Sequence, residues 1–168
     1  MPQDRDGSAS LKRYPRPVAT PSKPKRPRDE LGRPLPWDAE NRLPMEDFDQ
    51  LPLEENHRLA IAYWNDGNFF PAHEAWESCW KQAKGTEEEE LFKGLSQLGA
   101  GYVHARRLNH HGAKTLLRRG LSRVERYLPE AHGLDLRPIA EAAREHADLV
   151  ERAQEAGETM PEVTPPTI

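Results

Sequence analysis

Residues 68–80 read Asn68-Phe69-Phe70-Pro71-Ala72-His73-Glu74-Ala75-Trp76-Glu77-Ser78-Cys79-Trp80. Successive residues of an α-helix turn by about 100°, so this stretch predicts a helix with one aromatic face. That face carries Phe69, Ala72, His73, Trp76, Glu77 and Trp80. The opposite face carries Glu74, Ser78, Lys81 and Gln82. Two ionisable side chains, His73 and Glu77, are therefore expected within a face that other helices cover.

His73 and Glu77 need partners in such a place. They are four residues apart, so they lie one helical turn apart and can touch. Burying a charge without a partner costs several kcal/mol or forces the group to become neutral. We therefore expect the pair to be hydrogen-bonded, ion-paired or bound to a ligand. Together with Trp80 they form the pattern H-x-x-x-E-x-x-W.

This pattern is one of several spaced motifs by which the chain resembles the prokaryotic family named domain of unknown function 309. The resemblance covers roughly residues 53–128. It continues in Gly94-Leu95-Ser96-Gln97, His104, Asn109 and Gly112-Ala113. The resemblance implies a small all-helical fold. The family has no established activity, so function stays open, including whether the chain is an enzyme.

The remaining periodicity predicts an all-α protein. A length of 168 residues with 36% hydrophobic residues suits one domain with one core. Helices are predicted at about 52–65, from Asn68 to a stop at Gly85, from a capping box at Thr86 to 108, at 110–127 behind the N-cap Asn109, and at 136–155. These are about five antiparallel-connected helices in a compact bundle or helical-hairpin array. A tetratricopeptide-like stack stays open as a variant.

Composition divides the chain into three segments. Residues 1–44 hold nine of the sixteen prolines and predict a disordered basic tail; residues 45–156 predict the helical domain; residues 157–168 predict a loose C-terminal tail. Residues 1–36 carry a net charge of +5 and the rest carry −9. The basic run 23–28 is expected to contact nucleic acid weakly and without sequence preference at most, because aromatic residues are nearly absent from it.

Several functional classes are disfavoured. The chain shows no bilayer-length apolar run and no apolar signal segment, so we expect a cytoplasmic protein without a membrane partner. Cys79 is its one cysteine, which excludes an internal disulfide and a thiolate zinc cluster. No nucleophile elbow, Walker loop or dinucleotide glycine pattern occurs. The expected partner is an unknown small molecule or protein, and a homo-oligomer is open.

Two hypotheses remain for the polar residues. In the first, His73 and Glu77 bind a divalent metal, zinc or manganese or iron, with His104 of the central helix as third ligand and water completing the shell. Its candidate cofactor- or ligand-binding residues are Trp76, Trp80, Gln97 and Asn109. Gly101 leaves room beside Gln97 and His104 for a helix or a ligand. In the second, the pair is a structural network in a non-catalytic scaffold or protein-interaction module.

Overall fold

The computed structural model describes Tyr14, Pro17, Pro21 and residues 23–168. Within this part of the chain there are five α-helices: α1 (Leu53–Asn65), α2 (Phe69–Gln82), α3 (Glu89–Arg106), α4 (His110–Val124) and α5 (Arg137–Glu155). Short 3-10 turns, Phe48–Gln50 and Glu125–Tyr127, precede α1 and follow α4. The largest contacts join helices that are consecutive in sequence. The predicted all-α fold is confirmed.

The N-termini of α3 and α4 lie close to the predicted positions, with one difference at α3. Asn109 caps α4 as predicted, since its Oδ1 accepts a hydrogen bond from the backbone N–H of Gly112 at 2.9 Å. α3 begins at Glu89, three residues after Thr86. The Glu89 carboxylate accepts from the N–H of Gly85 at 2.8 Å. The predicted capping box is therefore shifted, because Glu89 reaches one residue further back than Thr86.

The core is built on aromatic rings from three helices. Trp64 of α1 lies 5.7 Å from Trp76 of α2 and 5.3 Å from Tyr102 of α3, measured between ring centroids. α3 is the central helix and packs closely on α4. A Cβ atom on Gly101 would lie 2.8 Å from the side chain of Leu117. The room that sequence analysis left beside Gly101 is thus filled by a helix.

A small β-hairpin, which the sequence pattern did not predict, connects α4 to α5. β1 (Glu130–Ala131) pairs antiparallel with β2 (Leu134–Asp135). The two residues between them, His132 and Gly133, have positive φ angles of 50° and 73°. Glycine adopts this left-handed conformation readily, and the tight turn it permits carries His132 back towards α1 and α3.

Residues 23–44, the N-terminal extension, differ from the structureless tail expected there. The Asp29 carboxylate accepts from the backbone N–H groups of Leu31 and Arg33 and so closes a turn. The carbonyl of Leu31 accepts from the Arg107 guanidinium at 2.9 and 3.0 Å. The guanidinium of Arg28 stacks 4.6 Å from the ring centre of Phe70. This proline-rich segment therefore forms a turn at Asp29 and contacts the helical domain through Leu31 and Arg28.

The C-terminal segment 157–168 also makes specific contacts. The Trp64 indole N–H donates to the carbonyl of Pro166 at 2.9 Å, and Asn65 exchanges two hydrogen bonds of 2.8 Å with Ile168. Most of the predicted tail before residue 23 lies outside the described residues. None of the described helices is both long enough and apolar enough to cross a membrane.

Candidate functional site

Three ligand-type side chains gather on α2, and we call His73, Glu74 and Glu77 the α2 site. Their ligand atoms all lie within 4.8 Å of one another. Nε2 of His73 is 3.6 Å from an oxygen of Glu74 and 3.5 Å from an oxygen of Glu77. The side chains are 22%, 36% and 33% exposed, which leaves the group open to solvent or a ligand.

The central helix fixes the ring of His73. Nδ1 lies 3.0 Å from the carbonyl oxygen of Ser96 and 2.9 Å from its hydroxyl oxygen, and that hydroxyl donates to the carbonyl of His73. Because a carbonyl can only accept, Nδ1 carries a proton. A neutral ring then keeps its lone pair on Nε2, directed at the two carboxylates. Gly99 makes this approach possible, since a Cβ there would lie 3.2 Å from Cα of His73.

Lys81 positions Glu77 from the other side. Its ammonium lies 3.3 Å from one oxygen of Glu77 and 3.6 Å from an oxygen of Asp49. Although burial acts in the opposite direction, the charges of Glu77 and Asp49 raise the pKa of Lys81. One oxygen of Glu77 therefore faces a cation, and the other faces Nε2 of His73.

His104, the expected third metal ligand, is not part of the α2 site. Its Nδ1 accepts from the amide nitrogen of Asn109 at 3.0 Å, and the bond from Gly112 to the amide oxygen fixes the orientation of that amide. Nε2 of a neutral His104 consequently carries the proton and acts as a donor. Burial, then the charges of Arg107 and His73, lower the pKa of His104. His104 is thus an electrostatic neighbour of His73, held by the α4 cap.

The other residues expected to bind a cofactor are dispersed. Trp76 is fully buried, and its N–H donates to Nδ1 of His57 at 3.1 Å. Trp80 is half-buried under the ammonium of Lys93, 4.7 Å from the ring centre. Gln97 is half-buried, and within the described part of the chain its Oε1 atom has no hydrogen-bond partner. Asn109 is exposed and serves as a cap. Of all these candidates, only His73 and Glu77 meet at the α2 site.

Sequence analysis missed Glu74 because the helical wheel places it on the opposite face. A glutamate side chain is long enough to reach back around the helix. The signal available was the dipeptide His73-Glu74 itself, which places a carboxylate directly beside the imidazole.

A second histidine group, which we call the buried histidine cluster after its buried member His57, consists of His57, His132, Glu54 and Glu88. Nε2 of His132 lies 3.0 Å from Glu54, and Nδ1 lies 3.3 Å from Glu88. The ring of His57 stands 5.0 Å from that of His132. Burial, with the charge of His132 adding to it, lowers the pKa of His57 to about 4. No sequence pattern pointed to this cluster, because the β-hairpin turn alone brings His132 there.

The fold and the α2 site define a small all-helical protein with a histidine–carboxylate group on its second helix. The family model described as Domain of unknown function (DUF309) matches residues 57–116, from α1 into α4, so this part of the chain is similar to that family. The resemblance drawn from the sequence is thereby confirmed. No curated protein and no solved structure gives a significant match.

Proposed function

We propose that the domain binds a divalent metal ion at the α2 site, through Nε2 of His73 and the carboxylates of Glu74 and Glu77. One observation carries this proposal: an imidazole nitrogen whose ring proton is engaged by Ser96 faces two carboxylate oxygens at 3.5 and 3.6 Å. Three electron-rich atoms at this spacing repel one another unless a cation lies between them.

The separations suit a metal ion. Metal–ligand distances of about 2.0–2.2 Å in tetrahedral geometry place the ligand atoms about 3.3–3.6 Å apart. Both distances from His73 to its neighbouring carboxylates fall in this range. One imidazole and two carboxylates suit zinc, manganese or iron, with further positions for water or a ligand. The hydrogen bond from Nδ1 to Ser96 is the outer-shell contact that orients a metal-binding histidine.

Such a centre can act as a Lewis acid or lower the pKa of a bound water molecule. Trp80 and Gln97 remain our proposed contacts for a small organic ligand. Trp80 follows Glu77 by three residues on α2, and Gln97 adjoins Ser96 on α3, so both lie on the elements that build the site.

A second candidate function rests on Lys81. Its ammonium already compensates part of the charge of Glu77, at 3.3 Å. A proton on Nε2 of His73 would then complete an ion-paired network that stiffens α2 in a scaffold or protein-interaction module. Metal titration separates the two candidates, because the ion-paired network needs no metal.

The experiment is calorimetric titration of zinc and manganese into protein without a histidine tag. We expect saturable binding by the wild type, and affinity lower by about tenfold or more in His73→Ala, Glu74→Gln and Glu77→Gln. His104→Ala is the matched control and should keep the wild-type affinity, whereas the ligand set predicted from sequence requires a loss there. Wild type that binds neither metal at millimolar concentration would favour the ion-paired scaffold.

A further inference from the structure

A cavity of about 310 Å³ opens between the N-terminal extension and the α2 site. It is lined by Lys25, Arg26, Arg28, Asn41, Leu43, Met45 and Glu74. Glu74 belongs to both places, so a ligand in this cavity lies beside the α2 site. Its volume falls at the lower end of small-molecule pockets, which start at about 300 Å³.

Two arginines, Arg26 and Arg28, place positive charge and hydrogen-bond donors in the cavity wall. Nε of Arg26 donates to the carbonyl of Leu35 at 2.6 Å, and Nη1 of Arg28 donates to the carbonyl of Gly32 at 2.7 Å. Within the described residues, neither guanidinium has a carboxylate inside ion-pair distance, whereas Lys25 pairs with Asp47 at 3.1 Å. A backbone carbonyl thus holds each side chain, the Phe70 ring also contacts Arg28, and no carboxylate among the described residues pairs with either charge.

The surroundings keep this region positive. Burial, together with the charges of Arg33 and Arg28, lowers the pKa of Arg107, and Asp29 partly offsets the shift. Asp29 already pairs with Arg33 at 2.8 Å, and the close approach of Arg28 and Arg107 is unfavourable unless a further anion lies near them. Gly32, at a φ of 77°, fixes the extension against Phe70, where a Cβ would lie 2.3 Å from the ring. The arginines are therefore held in place on the domain.

Charge balance with a bound metal favours an anion here. A divalent ion and the two carboxylates of Glu74 and Glu77 sum to zero, which leaves Arg26 and Arg28 as net positive charge in the cavity wall. A phosphate group matches this wall, because its oxygens accept paired hydrogen bonds from guanidinium groups and can also approach a metal ion. Leu43 and Met45 provide apolar contacts for an attached organic group.

We propose that this cavity binds a small phosphate monoester, with its phosphate held by Arg26 and Arg28 beside the metal at Glu74 and its organic part against Leu43 and Met45. The inference rests on the proposed metal site. A nucleic acid backbone offers the same phosphate chemistry, but the cavity is small, so the monoester is favoured over the polymer.

The test uses full-length protein loaded with Mn²⁺, with glycerol phosphate as the probe. Paramagnetic Mn²⁺ broadens the phosphorus resonance only when the phosphate binds near the ion. We expect broadening with the loaded wild type, none for Zn²⁺-loaded protein, and no calorimetric signal for glycerol alone. Inorganic phosphate, as a parallel arm, shows whether the organic group contributes, since the ester should bind more tightly.

Variants connect binding to the two arginines. Arg26→Gln with Arg28→Gln should weaken glycerol phosphate binding by about tenfold or more and leave Mn²⁺ affinity unchanged. Arg119→Gln with Arg152→Gln, two exposed arginines on α4 and α5, removes the same charge and should leave binding unchanged. Arg28→Lys preserves the charge, so it should weaken binding less than the double variant even if the stacking on Phe70 is disturbed.

The outcomes separate this inference from the metal site. Mn²⁺ binding without any glycerol phosphate binding overturns the anion inference alone. Phosphate binding that is equal in the two arginine pairs also overturns it. Absence of binding for both Mn²⁺ and Zn²⁺ refutes both proposals. An oligonucleotide that binds below micromolar concentration and displaces glycerol phosphate would assign the arginines to nucleic acid.

Discussion

The α2 site and the buried histidine cluster contain the same residue types and differ in how the protein completes them. In the buried cluster, Nδ1 of His57 accepts from Trp76, and both nitrogens of His132 face carboxylates at 3.0 and 3.3 Å. In the α2 site, Nε2 of His73 faces two carboxylate oxygens beyond ordinary hydrogen-bond distance. Composition alone therefore does not distinguish the two groups; the solvent-accessible Nε2 of His73, without a close partner, is what supports the proposed metal site on α2.

The two tryptophans of α2 test this comparison, and substitution of one of them should give the largest loss of unfolding free energy. Trp76 is fully buried in the aromatic core, so Trp76→Ala should lower the free energy of unfolding by about 3–5 kcal/mol. Trp80 is half-buried, and Trp80→Ala should cost less than about 2 kcal/mol. Chemical denaturation measures both. Equal losses at the two positions would contradict the assignment of Trp76 to the core and Trp80 to the flank of the site.

The buried cluster should give the protein a pH dependence. The unfolded pKa of histidine is about 6.5, and burial lowers the folded pKa of His57 to about 4. Between these values the unfolded state binds more protons, so stability is full above about pH 6.5 and falls by about 3 kcal/mol as the pH drops to 4. Denaturation curves across this window measure the slope.

A matched pair of variants isolates that slope. His57→Gln removes the titrating group and keeps an acceptor for Trp76, so it should flatten the dependence between about pH 4 and 6.5. His111→Gln, at an exposed histidine on α4, should keep the wild-type slope. If both variants retain it, the dependence arises elsewhere in the protein.

Local sequence information was sufficient for the helices. The apolar period predicts all five, Asn109 marks the start of α4, and the spacing of His73 and Glu77 correctly places them together. These features depend on residues within about one or two helical turns of each other, and helix geometry is fixed at that range.

Tertiary contacts decided the rest. His104 was expected at the metal, but the amide of Asn109 occupies its Nδ1. The buried cluster joins His132 to Glu54 across 78 residues of chain, a contact that only the packed fold specifies. The order of the N-terminal extension depends on the Phe70 ring and on Arg107, which its own composition does not reveal.

Removal of the N-terminal extension should have a smaller effect on stability. A chain beginning at residue 45 loses the Arg28–Phe70 stacking and the hydrogen bonds from Arg107, so its stability should fall by about 1–2 kcal/mol. A chain beginning at residue 14, which keeps the contact of Tyr14 with the His132 ring, is the control, and we predict stability equal to that of the full chain. Thermal melting distinguishes them. Unchanged stability in the shorter chain would show that the extension contributes no net stability to the domain.

The smallest expected effect is the coupling between His73 and Glu77 in metal-free protein. The pair is 3.5 Å apart and about one quarter to one third exposed, so a double-mutant cycle with His73→Ala and Glu77→Gln should give about 0–1 kcal/mol. A structural network would instead couple its members strongly, since removal of one buried partner leaves the other unsatisfied.

The apolar double variant His73→Phe with Glu77→Leu completes the comparison. We expect it to be at least as stable as metal-free wild type, because residues held for binding are often retained at a cost to stability. Excess zinc should raise the melting temperature of the wild type through preferential binding to the folded state and leave that of the double variant unchanged. Strong coupling in the cycle, combined with equal responses of the two proteins to zinc, would place the α2 site in the same structural class as the buried histidine cluster.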